Sequence, residues 1–194
     1  MVGLLGSGCT SGDDGADNEP NPTPSVPAGS TTTVGTTTLD RPDAKLEVSI
    51  KQLRGGVERK RWPALQRVIV RPVAAWIDDG YARDRDAEAP PVSRGFRGWT
   101  ADARELAMRD KSITTNVAIV DAGTAVAVDR REVVLYVFAS KGFTGGATAH
   151  VNVALTTAAE GGEVKRWRIT GRVYLQRFEA RWRIFGYDLS RQDV

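Results

Sequence analysis

The sequence predicts an α+β domain in which a strand and helices come first and a run of antiparallel strands follows. Apolar residues first recur at every second position, then at steps of three and four, and then again at every second position. All five Trp, all four Tyr and all five Phe lie after residue 42. We therefore expect one domain over residues 43–194, which is long enough to bury a core without disulfides or metals.

The first elements of this domain are a strand and a helix. Residues 44–52 alternate between apolar and polar, which is typical of a half-buried strand. From Pro63 the apolar residues follow a helical stripe that runs to Gly80, where we expect the helix to end. Pro63 suits the first turn of a helix, and Pro72 should kink this helix or start a second one.

A loop and a short helix come next. Residues 83–97 are polar and contain prolines, which indicates a loop. Residues 100–109 predict a helix with Thr100 as its N-cap. Asp102 lies in the first turn, where the helix dipole favours a negative charge.

The remainder of the domain is predicted to be rich in β-structure. Residues 113–120 and 124–128 are candidates for short strands. Residues 132–139 are apolar on both faces and should form a central strand. The period-two pattern continues in three further segments, which are 147–157, 164–175 and 181–189. Short connections between them predict hairpins, and the whole predicts a curved antiparallel sheet packed on the helices.

The chain before the domain has a different composition. Residues 10–42 are almost entirely Gly, Ser, Thr, Pro, Asp, Asn and Ala, so we expect this segment to be disordered. The residues before it read Met-Val-Gly-Leu-Leu-Gly-Ser-Gly and then Cys9, the single cysteine. These nine residues resemble the end of a bacterial lipoprotein signal, in which small residues precede a Cys whose thiol receives a diacylglyceryl group.

This resemblance implies a location for the protein. Cys9 would carry the lipid, residues 1–9 would be the remnant of the signal, and residues 10–42 would tether the domain to the extracytoplasmic face of the cell membrane. Because the apolar stretch is short and no basic residue precedes it, we expect the true start to lie upstream. A flexible tether of some thirty residues spans roughly 30 Å, within reach of lipid headgroups and inner wall polymer.

The charge is divided between tail and domain. Residues 1–42 contain one basic and five acidic residues, which leaves the domain with 26 basic and 19 acidic residues and a net charge of +7. This excess favours an anionic partner such as lipid headgroups or wall polymer. An alternative is that the charge only keeps the domain soluble. Nucleic acid is not an expected partner of an exported protein.

Five arginines near the end of the chain are the candidate anion-binding residues. Three of them share one face of the strand at 164–175 by period two, and the following strand adds two more. The five are Arg166, Arg168, Arg172, Arg181 and Arg183. Together they predict a basic stripe for phosphate or carboxylate groups. The alternative is a solvated outer face whose charges pair with Glu163 and Glu179.

The order of elements and three segments carry a second resemblance. Residues 76–81, 100–109 and 182–188, the last of which reads Trp-Arg-Ile-Phe-Gly-Tyr-Asp, are similar to the NTF2-like (cystatin-like cone) superfamily, especially to actinobacterial proteins of the Mce-associated type. Enzymes of that superfamily use Asp, Tyr or His inside the cone. The resemblance therefore implies a possible cavity site at Asp78, Asp79 and Tyr81.

Other chemistry finds little support in the residue types. An acid at a helix C-terminus is poorly placed relative to the dipole, so Asp78 and Asp79 also fit salt bridges to an arginine of the sheet. His150 is the only histidine and shares a strand face with Asn152, which favours a hydrogen-bonded sheet position. We expect no metal and no cofactor.

The sequence therefore predicts a non-catalytic envelope lipoprotein that binds a protein partner or an envelope component. The alternative is a cone that binds or converts a small molecule.

Overall fold

The computed structural model describes most of the domain. The described residues are 39, 43–83, 92–121, 124–159 and 161–194. Cys9 and most of the predicted tether at 10–42 lie outside them. Within the described residues, the elements are β1 (Leu46–Arg54), a 3-10 turn (Arg59–Arg61), α1 (Trp62–Gly80), a 3-10 helix (Val92–Phe96), α2 (Ala101–Arg109), α3 (Lys111–Thr114), β2 (Ala125–Ser140), β3 (Phe143–Ala158), β4 (Val164–Phe178) and β5 (Arg181–Asp193).

The described strands form one five-stranded sheet in the order β1-β2-β3-β4-β5. Strands β2 to β5 are antiparallel neighbours joined by short connections, as predicted. β1 instead pairs with β2 in parallel, so the sheet is mixed and not purely antiparallel as expected. The reason is the connection: the helices between β1 and β2 return the chain to the end of the sheet where β1 began. The α+β class is confirmed.

The predicted strand at 113–120 is wrong. α3 ends at Thr114, and the chain then turns back toward the end of α1. Two buried polar side chains fix this turn, because the Thr114 hydroxyl donates to the Ala107 carbonyl (2.8 Å) and the Asn116 amide donates to the Tyr81 carbonyl (3.1 Å). The apolar residues of this segment therefore pack into the core from turns and not from a hydrogen-bonded strand.

The two strand candidates at 124–128 and 132–139 form one long strand, β2. The register against β3 shifts between Val128 and Arg130, so Asp129 is the extra residue of a bulge. A polar residue at this position interrupts the alternation, which is why the sequence pattern divided the strand.

Helix α1 runs without a break through Pro72 to the predicted end at Gly80. A second helix does not begin at Pro72. The proline is buried against Gly98, where an added Cβ would lie 2.6 Å from the Pro72 Cβ. Gly98 directly follows the predicted loop at 83–97, within which Val92–Phe96 forms a 3-10 helix.

The core lies on one face of the sheet, which we call the inner face. From α1 it receives Ile69, Val73, Trp76 and Ile77, all fully buried. Strands β2 to β5 contribute alternate apolar residues, among them Val133, Leu135, Val151, Val153, Ile169, Val173, Leu175 and Ile184. The opposite, outer face carries exposed residues at the intervening positions, such as Arg168 of β4. Helix α2 also adds to the inner core, through Ala103 and Ala107.

Gly171 in the middle of β4 generates a prediction about stability. Its φ is +143°, and an added Cβ would lie 2.1 Å from the Asp188 carbonyl oxygen on β5. Gly171→Ala should therefore lower the free energy of unfolding by about 2 kcal/mol or more. Urea denaturation followed by circular dichroism measures this change.

Gly145→Ala is the matched control, because a Cβ there meets no atom within 4 Å. It should change the free energy of unfolding by less than about 1 kcal/mol. Equal effects of the two substitutions would contradict the steric account.

Candidate anion-binding site

Tyr81, one of the residues of the expected cavity, lies in the core. Its side chain is fully buried and its ring packs edge-on against Trp76, with 5.4 Å between centroids. Its hydroxyl donates to the Ile113 carbonyl. Burial raises the pKa of Tyr81 above its ordinary value of 10.0. The side chain is therefore closed to solvent and held as a neutral donor.

Asp78 and Asp79 form ion pairs with two different arginines. Asp78 accepts from Arg131 of β2, and Asp79 accepts from Arg83 one helical turn further on. Partial burial raises the pKa of Asp78, an effect that the Arg131 guanidinium opposes. The structure thus shows, for Asp78, the salt bridge to a sheet arginine that the helix-end position favoured. Asp78, Asp79 and Tyr81 have separate partners.

All five arginines of the predicted stripe lie on the outer face of β4 and β5. The register places Arg181 opposite Phe178, twelve residues along β4 from Arg166. At about 3.3 Å per residue, the stripe is about 40 Å long. Arg172, in its middle, pairs with Asp188 across the strands at 3.1 Å. Arg166 and Arg168 therefore lie at one end of the stripe, far from Arg181 and Arg183 at the other end.

The acids expected to neutralise the stripe do not do so. Glu163 pairs with Lys165 at 2.9 Å. Among the described residues, no acid lies within 4.0 Å of the guanidinium groups of Arg166, Arg168, Arg181 or Arg183. Within the described residues, four of the five predicted arginines therefore have no ion-pair partner.

Two neighbouring turns at one end of the sheet, the hairpin end, carry exposed aromatic rings and basic residues. The β2–β3 and β4–β5 turns are neighbours, because Gly146 pairs with Gln176. Phe143 is 77% exposed and Phe178 is 51% exposed. Glu179 is the acid of the β4–β5 turn. We call this group the tip surface, and its residues are Lys141, Phe143, Arg177, Phe178 and Arg181.

A cleft of about 430 Å³ opens beside the tip surface, between the hairpin end of β4 and β5 and the start of α2. The segment before α2 is hydrogen-bonded to β5 there, because the Thr100 N–H donates to the Ile184 carbonyl at 2.8 Å. Arg183 donates to the Trp99 carbonyl at 3.4 Å. We call it the arginine cleft, and it is lined by Arg97, Trp99, Thr100, Ala101, Arg104, Gln176, Phe178 and Arg183.

The arginine cleft is strongly positive. Three of its lining residues are arginines, and the described residues that line it include no acid. Asp102 and Glu105 line an adjacent groove instead. The sequence pattern did not indicate Arg97 and Arg104, because they belong to a loop and a helix and only the fold brings them to Arg183.

His150 lies on the outer face, where its ring is 4.7 Å from that of Tyr136. Asn152, its neighbour on the strand face, donates to Glu132 at 3.3 Å. Partial burial lowers the pKa of His150 below its ordinary 6.5, and the charges of Arg172 and Lys51 lower it further. The histidine is thus neutral near pH 7.

Three further findings bear on the class of site. The described part of the chain contains no group of three or more His, Cys, Asp or Glu residues placed to hold a metal ion. None of its helices combines the length and the apolar character needed to cross a membrane. Comparisons with protein-family models, with curated proteins and with solved structures gave no match.

The titration of His150 tests the electrostatics of the outer face. Because it is the only histidine, its Cε1 proton gives a single NMR signal to follow. We expect a midpoint below 6.5, and Arg172→Gln should raise it by removing a nearby positive charge. Since the unfolded chain takes up this proton more readily, His150 lowers stability as the pH falls below 6.5.

Arg168→Gln is the control for this titration, because it removes the same charge from the same strand face. It should move the midpoint less than Arg172→Gln does. A midpoint at or above 6.5 in the unmodified protein would contradict the assignment.

Proposed function

We propose that this protein is a lipid-anchored extracytoplasmic binding protein whose domain contacts the anionic surface of its own membrane, without catalysis. The observation that carries the proposal is the tip surface, where two neighbouring turns carry two exposed phenylalanines and three basic side chains. The net charge of +7 on residues 43–194 supports the same partner. Acylation of Cys9 supplies the anchor.

The tip surface has the composition of an interfacial membrane contact. Aromatic rings enter the boundary between headgroups and acyl chains, while cations beside them interact with anionic headgroups. Each Lys or Arg near the surface contributes about 1 kcal/mol, and each buried Phe contributes about 1.5–3 kcal/mol. The costs of association offset most of this gain, so such a contact is weak alone. A tether increases it, because it holds the domain at a high effective concentration near the bilayer.

We also propose that the domain is an NTF2-like cone. The support is the order of elements, with α1 and α2 before four antiparallel strands and with their apolar residues buried on one face of the sheet. The alternative function, chemistry by Asp78, Asp79 and Tyr81, gains no support from the contacts of these side chains, since the acids are ion-paired and the tyrosine is closed to solvent.

The anchor is tested by Cys9→Ala in the native host. We expect the unmodified protein in the membrane fraction and labelled by radioactive palmitate, because only a lipid-modified thiol carries acyl chains. Cys9→Ala should be unlabelled and soluble or secreted, because the tip contact alone is weak. Ser7→Ala is the control and should fractionate like the unmodified protein. Unchanged fractionation of Cys9→Ala would contradict anchoring at this residue.

The surface is tested with the full chain carrying Cys9→Ala and vesicles that contain an anionic phospholipid. Reversing two tip charges, Arg177→Glu with Arg181→Glu, should weaken cosedimentation at least about tenfold. Phe143→Ala with Phe178→Ala should also weaken it, although the net charge is unchanged. Binding should fall with added salt and be absent with neutral phosphatidylcholine vesicles.

The matched control reverses two charges at the other end of β4, Arg166→Glu with Arg168→Glu. It should retain most of the binding if the tip is the contact. An equal loss in both reversals would mean that the net charge, and not the tip surface, determines binding.

A further inference from the structure

We propose that the arginine cleft binds the phosphate group of one anionic phospholipid headgroup. This inference rests on the proposed function for the source of the ligand, but the cleft is a different site from the tip surface. Phe178 lines the cleft and also belongs to the tip surface, so the cleft opens where the domain would meet the bilayer.

The charges of the cleft fit a phosphate. Arg97, Arg104 and Arg183 converge on one cavity, and the described residues offer no ion-pairing acid to any of the three. Like charges held together repel each other, so an oxyanion among them relieves that repulsion. Guanidinium groups present paired donors that match the oxygens of phosphate, and each such bond is charge-assisted.

The start of α2 adds further donors at the same place. Thr100 and Ala101, the N-cap and the first helical residue, both line the cleft. The first N–H groups of a helix have no intrahelical acceptor, and the Thr100 side chain makes no capping hydrogen bond. A helix N-terminus favours anions, so its donors act together with the three arginines.

Apart from Gln176, the remaining wall of the cleft is apolar, which favours an organic phosphate over the inorganic ion. Trp99 and Ala101 form part of this wall, and half-exposed Phe178 extends it toward the tip surface. A volume of about 430 Å³ lies within the range of sites for small organic ligands. The phosphate would lie among the arginines, and the glycerol and the first acyl carbons would pack on Phe178.

The test uses the full chain carrying Cys9→Ala in solution, with NMR of backbone amides as the readout. The probe is dihexanoyl phosphatidylglycerol below its micelle concentration, compared with glycerol 3-phosphate and with inorganic phosphate. We expect shifts in the Ala101 and Asp102 amides and a Kd for the lipid at least about tenfold below that for inorganic phosphate. Arg104→Gln with Arg183→Gln should raise the lipid Kd at least about tenfold.

Arg67→Gln is the matched control, since Arg67 is an exposed arginine of α1 that does not line the cleft. It should leave the lipid Kd within about twofold. Thermal unfolding of each variant shows whether the fold is kept, and single Arg183→Gln serves if the double variant unfolds.

The results of these titrations distinguish a wrong ligand, a wrong site and a wrong membrane contact. Equal affinity for glycerol 3-phosphate or inorganic phosphate would overturn the lipid assignment in favour of a free phosphate. No amide shift with any probe would overturn the cleft as a site, whatever the vesicle result. Cleft binding of dihexanoyl phosphatidylglycerol without any vesicle binding would support this inference while the proposed membrane contact fails.

Discussion

The burial of one sheet face under α1 is the constraint on which the rest of the domain depends. Trp76 and its apolar neighbours on α1 lie against alternate residues of β2 to β5, and all of these side chains are removed from water. Helix α2 packs on the same inner face as α1. The outer face and the hairpin end of the sheet are therefore left uncovered and keep exposed charges and rings. The candidate binding surfaces therefore lie there and not in the interior.

A set of buried polar contacts places α2 relative to the sheet. The Trp76 indole donates to the Thr114 carbonyl at 2.9 Å, which links α1 to the end of α3. The Tyr187 hydroxyl donates to Asp110 at 2.6 Å, which links β5 to the residue between α2 and α3. Such bonds are costly to leave unmade in a core. They hold α2 at the edge of β5, and so they bring Arg104 to the cleft.

Periodicity predicted the elements that bury one regular face, and it failed where other forces decide. β3, β4 and β5 follow period two because one face of the sheet is largely exposed to solvent and the other is buried. The segment after α3 has apolar residues too, but the polar side chains of Thr114 and Asn116 determine its path. The parallel pairing of β1 with β2 depends on how a connection of some seventy residues returns the chain to the sheet. A pattern of neighbouring residues carries no information over that distance.

The same distinction applies to the candidate site. The parity of β4 and β5 placed all five arginines on one face, but it could not give the separation between them or the pairing of Arg172 with Asp188. The arginine cleft was beyond sequence reasoning, since its cations come from a loop, a helix and a strand. The domain is entered near Val128, at the end of the sheet opposite the β2–β3 and β4–β5 turns. A strand of fifteen residues spans about 50 Å, whereas a chain of thirty-three residues can extend to about 110 Å. If Cys9 carries the proposed lipid, the length of the segment after it would permit the tip surface to meet the membrane, which a linker of ten residues would prevent.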